Sequence, residues 1–243
     1  MVHMQLDFLP LKSYCNIKEG NALNMNWEEI IPKCELNYIM GNPPFVGQAM
    51  RTKKQAEDMQ KVFFPTKVGG KLDYVAGWFK KSADYMKDTH IETAFVSSNS
   101  ICQGESVNLL WKMLLQDGVF INFAHNTFLW INEAQDNAAV MCVIVGFSRF
   151  ERKNKILFSG EQYKFVEHIN GYLKEAPDVF IKNRSKSINS GSVKVVQGSP
   201  PADDGRLLLS ASERKELVEK YPELDNIIKP FIGSREFIND TSF

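Results

Sequence analysis

Between about residue 36 and residue 147, short apolar runs alternate with longer amphipathic ones, the pattern of strands alternating with helices in an open α/β sheet. The strand candidates are Leu36 to Gly41, Thr93 to Ser98, Val119 to Ala124 and Ala139 to Phe147. Between the first two, Leu72, Val75, Ala76, Phe79, Ala83 and Met86 fall on one face of a helix over 72–86. Val107, Leu110, Trp111, Leu114 and Leu115 repeat that stripe after the second strand, and Gly118 stands where such a helix must end. The link from Asn126 to Ala138 is long for a tight hairpin and short for a helical crossover, which predicts an antiparallel pair at the sheet edge.

After Phe150 the texture changes. Arg149, Arg152, Lys153 and Lys155 cluster, and Ile181 to Gly205 is rich in Ser, Asn, Gly, Pro and Lys without sustained periodicity. The reading is therefore an α/β unit over residues 1–150 and a second unit or docking extension over 151–243. Near the end, Ser210 with Glu213 offers a capping box for a helix through Lys220, stopped by Pro222.

Composition adds exclusions. At 243 residues with 44% hydrophobic and 24% charged positions, the chain has globular values and length enough for a core. Lys plus Arg and Asp plus Glu balance at 29 each, so any basic surface must be local. The longest apolar run, Ala138 to Phe147, is about half of a bilayer span, and Met1 to Lys12 lacks the layout of a secretory signal, so the expected location is the cytoplasm. Cys15, Cys34, Cys102 and Cys142 are widely spaced without a C-x-x-C pair, which predicts buried free thiols and no metal site.

The sharpest chemical signal is Asn42-Pro43-Pro44-Phe45, directly after a strand-like run, at the strand end where open α/β sheets bind ligands. Neither proline has an N–H and both have φ fixed, so the turn is stiff and the Pro43 carbonyl can point outward as an acceptor. With the Asn42 side-chain oxygen it makes two adjacent acceptors, matching the two hydrogens of an exocyclic NH2 such as adenine N6. Holding those hydrogens out of the ring plane localises the nitrogen lone pair and aims it at an electrophile. Phe45 supplies a face for the base. Nitrogen attack on a sulfonium methyl makes the amine acidic enough to lose its proton afterwards, so no histidine or carboxylate base is required. The plainer alternative is a turn with a hydrophobic anchor behind it.

The surroundings resemble the amino-methyltransferases with Asn-Pro-Pro-aromatic, and within them the DNA adenine-N6 methyltransferases of the MmeI-like type II restriction-modification enzymes. The resemblance rests on Ile17 to Leu23 with Trp27, Gly41 to Gly47, Leu72 to Phe79, and Ala94 to Ile101 with Gln103-Gly104. It continues with Phe123-Ala124-His125, Phe128 and Trp130, and Ala138 to Phe147, so that it covers roughly residues 15 to 150 in the family's order. It implies the carboxyl-terminal portion of a class I, Rossmann-like methyltransferase sheet that uses S-adenosylmethionine, with Asn42, Pro43, Pro44 and Phe45 as the catalytic turn on a flipped-out adenine. Asn21 and the Ala22 backbone resemble the loop that contacts the cofactor's adenine, although many relatives have Asp where Asn21 stands. Trp130 and Phe128 are candidates for stacking on the base; for Phe128, packing against the sheet edge is an equal alternative. His125, at the end of an apolar strand, reads as a hydrogen-bonded structural residue.

Ile169 to Leu173, Ala176 to Val179, Gly198-Ser199-Pro200 and Asp203-Asp204-Gly205 resemble the entry into that family's target-recognition region. Arg149, Arg152, Lys153, Lys182, Arg184 and Lys186 are candidates there for neutralising DNA phosphates, the alternative being a solvated surface.

One expected part is missing. Class I methyltransferases hold the methionine end of the cofactor on a Gly-rich loop, yet none of the 15 glycines forms a Gly-x-Gly. The expectation is a truncated or split chain, inactive or weakly active by itself, whose partners are DNA and either the amino-terminal part of the methyltransferase or a second copy. Two rivals remain open. One keeps the turn but acts on RNA or a protein amide. The other is a DNA-binding, specificity or assembly module of a split methyltransferase with a vestigial turn. No Asp followed by a spaced Glu-x-Lys supports a nuclease.

Overall fold

A computed structural model describes residues 17–130, 140–184, 206–233 and 238. Six strands form one mixed sheet: β1 (Tyr38–Gly41), β2 (Glu92–Ser98), β3 (Phe120–Trp130), β4 (Val140–Ser148), β5 (Lys155–Ser159) and β6 (Gln162–Val166), in the order β1-β2-β4-β3-β5-β6. β1 is parallel to β2, and β3 to β5. β4 runs antiparallel to both β2 and β3, so β1, β2, β3 and β5 all point the same way.

The antiparallel pairing of β3 with β4 is as expected, but its position is not. The pair lies inside the sheet, because β5 and β6 extend it beyond β3. β5 also buries a lysine: the Lys155 ammonium is met by Glu151 at 2.5 Å and the Glu167 carbonyl at 2.6 Å. A cluster that reads as basic surface therefore contributes a strand, and the compact first unit runs on through Arg184.

One face of the sheet is covered by helix α2 (Ala76–Tyr85) and by a helical segment α3 over 104–116, which is α-helical at Gly104–Ser106 and Lys112–Gln116 with a π-helical turn at Val107–Trp111. The two predicted stripes are this interface, and all of their residues except Leu115 are fully buried. Phe79 is its centre, lying 5.3 Å from Phe95, 5.3 Å from Phe147 in a stack and 5.7 Å from Trp111 edge-on. Gly118 ends α3 with φ +80°, a conformation that glycine adopts without a Cβ penalty. α2 starts four residues later than the stripe, because Leu72 is extended and the Asp73 side chain accepts from Val75 N in a turn ahead of the helix.

A helix the apolar pattern does not announce, α1 (Lys53–Val62), fills the stretch between β1 and α2. A capping box, Thr52 with Gln55, starts it. Cys102 and Cys142 are buried free thiols as expected; Cys34 is exposed, because it sits on a short surface turn, and Cys15 lies outside the described residues. No helix among the described residues is long and apolar enough to cross a membrane.

The second unit begins at Ser185. Its described part contains the helix Ala211–Lys220, with Ser210 and Glu213 forming the expected capping box, and a short turn of helix from Pro222.

Because Phe79 touches three other rings, Phe79→Ala is expected to cost about 3 to 5 kcal/mol, measured as a loss of unfolding free energy in urea.

Candidate active site

Asn42 to Phe45 leave the carboxyl end of β1. Asn42 and Pro44 are exposed, Pro43 is buried and Phe45 is half-buried against the core. Among the described residues neither the Asn42 side chain nor the Pro43 carbonyl has a hydrogen-bond partner. Two acceptors are thus left unspent on a turn that two prolines stiffen.

The prolines create a difficulty, because a turn without two N–H donors has little backbone with which to fasten itself. The fastening comes from Asp73. Its Oδ1 accepts from Val46 N at 3.1 Å and Val75 N at 3.2 Å, and its Oδ2 accepts from the hydroxyls of Ser98 at 3.2 Å and Ser100 at 3.4 Å. Tyr74 N donates to Val46 O at 3.0 Å. Val46, the residue after the Asn-Pro-Pro-Phe turn, is thereby pinned through both backbone groups, and Asp73 ties it to the end of β2. Composition and periodicity give no hint of this role, although the Leu72 to Phe79 segment carries part of the family resemblance.

A second carboxylate organises the loop before β1. Asp58 on α1 is 2% exposed and accepts from Asn24 Nδ2 at 2.7 Å, Asn21 Nδ2 at 2.8 Å and Tyr74 Oη at 2.8 Å. Burial pushes its pKa up, but the bonds from Asn24, Tyr74 and Asn21 outweigh this and hold it below the ordinary 3.8. Burial, and then the bond to Asp58, push the Tyr74 hydroxyl up to about 12. Asn21 Oδ1 accepts from Leu23 N at 3.0 Å, and the Ala22 carbonyl accepts from Trp27 Nε1 at 2.9 Å. Lys81 closes the loop from below by donating to the carbonyls of Leu23 and Met25, at 2.9 Å and 2.5 Å. Tyr74 belongs to both networks, so the candidate cofactor loop and the candidate catalytic turn share one support.

Phe128 and Trp130 end β3 on the same edge of the sheet as the turn, since β1, β2 and β3 run in one direction. Phe128 is half-buried and packs edge-on against His125 at 4.9 Å. Trp130 is 47% exposed. Both ring nitrogens of His125 face carbonyls, of Asn126 at 2.7 Å and Gly160 at 3.2 Å, and its ring stacks on Phe158, the structural role expected.

The basic candidates divide. Arg149 donates to the Ala83 carbonyl at 2.9 Å and to the carbonyl and carboxylate of Asp117. Arg152 forms a two-pronged pair with Glu92 at 2.6 and 2.7 Å. Both sit where β2 begins and β4 ends, the edge of the sheet opposite the turn. Both guanidiniums, candidates from the sequence for neutralising phosphate, hold partners within the fold. Lys153, Lys182 and Arg184 are exposed, and Lys186 lies outside the described residues.

Two outcomes follow from the carboxylates. Asp73→Ala is expected to lose about 2 to 3 kcal/mol and to speed exchange of the Val46 amide, while Asp73→Asn, which keeps an acceptor for Val46 N, loses less; urea titration with amide exchange checks both. Asp58 has a lower pKa folded than unfolded, so its stabilisation is full above 3.8 and is lost as pH falls through the lower folded value. Unfolding free energy should therefore drop between about pH 5 and pH 2 more steeply in the wild type than in Asp58→Asn.

Comparison with known proteins agrees with this geometry. The family described as MmeI, DNA-methyltransferase domain, matches residues 1–159, and the one described as MmeI, target recognition domain, matches residues 175–242. The chain is similar to DNA methyltransferase A of Bacillus subtilis (strain 168), 42% identical over 234 residues that make up 95% of this chain and 26% of that protein. It is also similar to the Type IIL restriction-modification enzyme MmeI, solved in complex with DNA, with a TM-score of 0.86 and 39% identity over 96% of this chain and 32% of that one. The chain thus spans about a quarter to a third of the length of these relatives. With a mixed Rossmann-like sheet, a stiff Asn-Pro-Pro-Phe turn at its carboxyl edge and matches to both domain types, the chain belongs to the MmeI-like DNA methyltransferase family.

Proposed function

We propose that this chain supplies the catalytic turn and the start of the target-recognition region of a restriction-modification DNA methyltransferase that modifies adenine N6. The observation that carries the reading is the pair of unspent acceptors, Asn42 Oδ1 and the Pro43 carbonyl, on a turn fixed by Asp73. They accept the two amine hydrogens, hold them out of the purine plane and leave the lone pair directed away from the ring. Phe45 and Trp130 bracket the flipped base, Trp130 being the exposed member of the aromatic pair.

S-adenosylmethionine supplies an electrophilic sulfonium methyl when bound. The chain's own residues fit the adenine end of that cofactor: Asn21 Oδ1 keeps one lone pair beyond its bond from Leu23 N, in a loop braced by Asp58 and Lys81. They do not fit the methionine end, since no Gly-x-Gly stands in the sequence.

The open face of the sheet favours a partner for that end. Met40, Phe123 and Phe158 line an apolar groove of about 400 Å³ on it, and Met40 is 78% exposed. The polypeptide bearing the Gly-rich loop is our proposed cover.

The test is transfer of labelled methyl to mixed-sequence DNA, with nucleoside analysis, by the chain alone and with the corresponding upstream polypeptide of a relative added. N6-methyladenine is expected with the added polypeptide and little without it. Asn42→Ala should lower the rate about 10² to 10³-fold, by analogy with deleting one preorganised polar contact to the reacting group. Trp130→Ala removes stacking worth about 1 to 3 kcal/mol and should weaken DNA use accordingly. Methylation that survives Asn42→Ala unchanged overturns the reading.

A further inference from the structure

The stretch between the catalytic turn and α2 is an excursion closed at its neck. Val46 at one end and Asp73-Tyr74 at the other are joined by Val46 N to Asp73 Oδ1 and Tyr74 N to Val46 O, so everything from Gly47 to Leu72 leaves and returns beside Phe45. In a chain of zero net charge, residues 48–71 carry six Lys and Arg against two acidic residues. Arg51 is spent inside, donating to the carbonyls of Gly69 at 2.9 Å and Gly70 at 2.7 Å, and Lys71 pairs with Glu105. Lys53, Lys54, Lys61 and Lys67 are exposed and, among the described residues, have no ion-pair partner.

The scaffold under them is rigid. Asp58 and Met59 bury the inner side of α1, and a Cβ on Gly69 would stand 2.7 Å from the Met59 carbonyl oxygen, so the helix rests directly on the 68–71 turn. Lys53 and Lys61 are two turns apart, about 12 Å along the helix, a span of three to four phosphate steps of one DNA strand. Phe64 follows α1 and is 81% exposed.

We propose that this excursion is a DNA-gripping element: Lys53, Lys54, Lys61 and Lys67 contact backbone phosphates beside the target base, and Phe64 makes an apolar contact to the same duplex. The proposal deepens the methyltransferase reading and rests on its substrate being DNA. It differs from the basic residues after β4 that the sequence singles out in lying next to the Asn-Pro-Pro-Phe turn.

The experiment is a salt titration of duplex affinity with the 243-residue chain between about 50 and 200 mM salt, where each phosphate contact contributes about 0.9 to the slope of log K against log[salt]. A Lys53→Gln, Lys54→Gln, Lys61→Gln, Lys67→Gln variant should lower that slope by about 2 to 4, and the matching four Lys→Arg changes should keep it. Phe64→Ala should weaken binding about five- to tenfold at every salt concentration without changing the slope. Lys153→Gln with Lys182→Gln serves as the comparison, and circular dichroism verifies that each variant is folded. No measurable duplex binding at the lowest salt, a slope change below about 1 in the folded Gln variant, or tighter binding of duplex RNA through the same lysines would overturn the proposal. Since the readout is affinity and not methylation, its failure is distinguishable from failure of the catalytic turn, which the Asn42→Ala assay decides.

Discussion

The site depends on one side-chain carboxylate accepting what two prolines cannot donate. Pro43 and Pro44 give the Asn-Pro-Pro-Phe turn fixed φ angles, but they also remove the N–H groups with which a turn after a strand would normally fasten itself. Asp73 makes up the loss from outside, holding Val46 N while its other oxygen receives the hydroxyls at the end of β2. A hydrogen bond to a charged acceptor is worth roughly 1.5 to 3 kcal/mol, more than a neutral one, which suits a turn that has lost two donors of its own. Stiffness in the turn and a charge behind it are two halves of one solution.

The two carboxylates divide the work by environment. Asp73 is half-buried and binds groups that belong to the turn and its neighbour strand. Asp58 is buried and binds only amides and a phenol, all donors, so its charge is dispersed over partners that keep their protons. Replacing it with an amide would set a donor against donors. Tyr74 couples the pair, its hydroxyl on Asp58 and its backbone N–H on Val46. One residue thus touches both the support of the loop at Asn21 and the residue that follows the turn.

Much of the first unit was legible because apolar periodicity reports burial. The stripes on α2 and α3, the β3–β4 pairing and Gly118 all follow from residues that pack against each other. α1 escaped because its inner face centres on Asp58 as well as Met59, and a buried charge breaks the stripe that would announce a helix; only Thr52 with Gln55 signals it. β5 escaped because Lys155 reads as surface until Glu151 and the Glu167 carbonyl are seen beside it. The Asn-Pro-Pro-Phe turn was legible as a string of letters, whereas its support was not, since Asp73 stands 27 positions from Val46. Composition cannot anticipate a partnership that only the crossover brings together.

The basic residues show the same limit and a rule within it. Four arginines, Arg51, Arg149, Arg152 and Arg214, each hold fixed partners inside the chain. A planar guanidinium loses less freedom per bond formed and presents several donors at set angles, so it serves where carbonyls and carboxylates have fixed places. A lysine ammonium on a flexible stem is a point charge that loses more freedom when fixed, and Lys53, Lys54, Lys61 and Lys67 remain exposed. The sequence pattern grouped Arg149, Arg152, Lys153, Lys182, Arg184 and Lys186 as candidates for phosphate. Accounting for partners refines that grouping: the charge available to an anionic ligand is what remains after internal pairs are subtracted, and here that remainder includes the lysines of the excursion that follows the Asn-Pro-Pro-Phe turn.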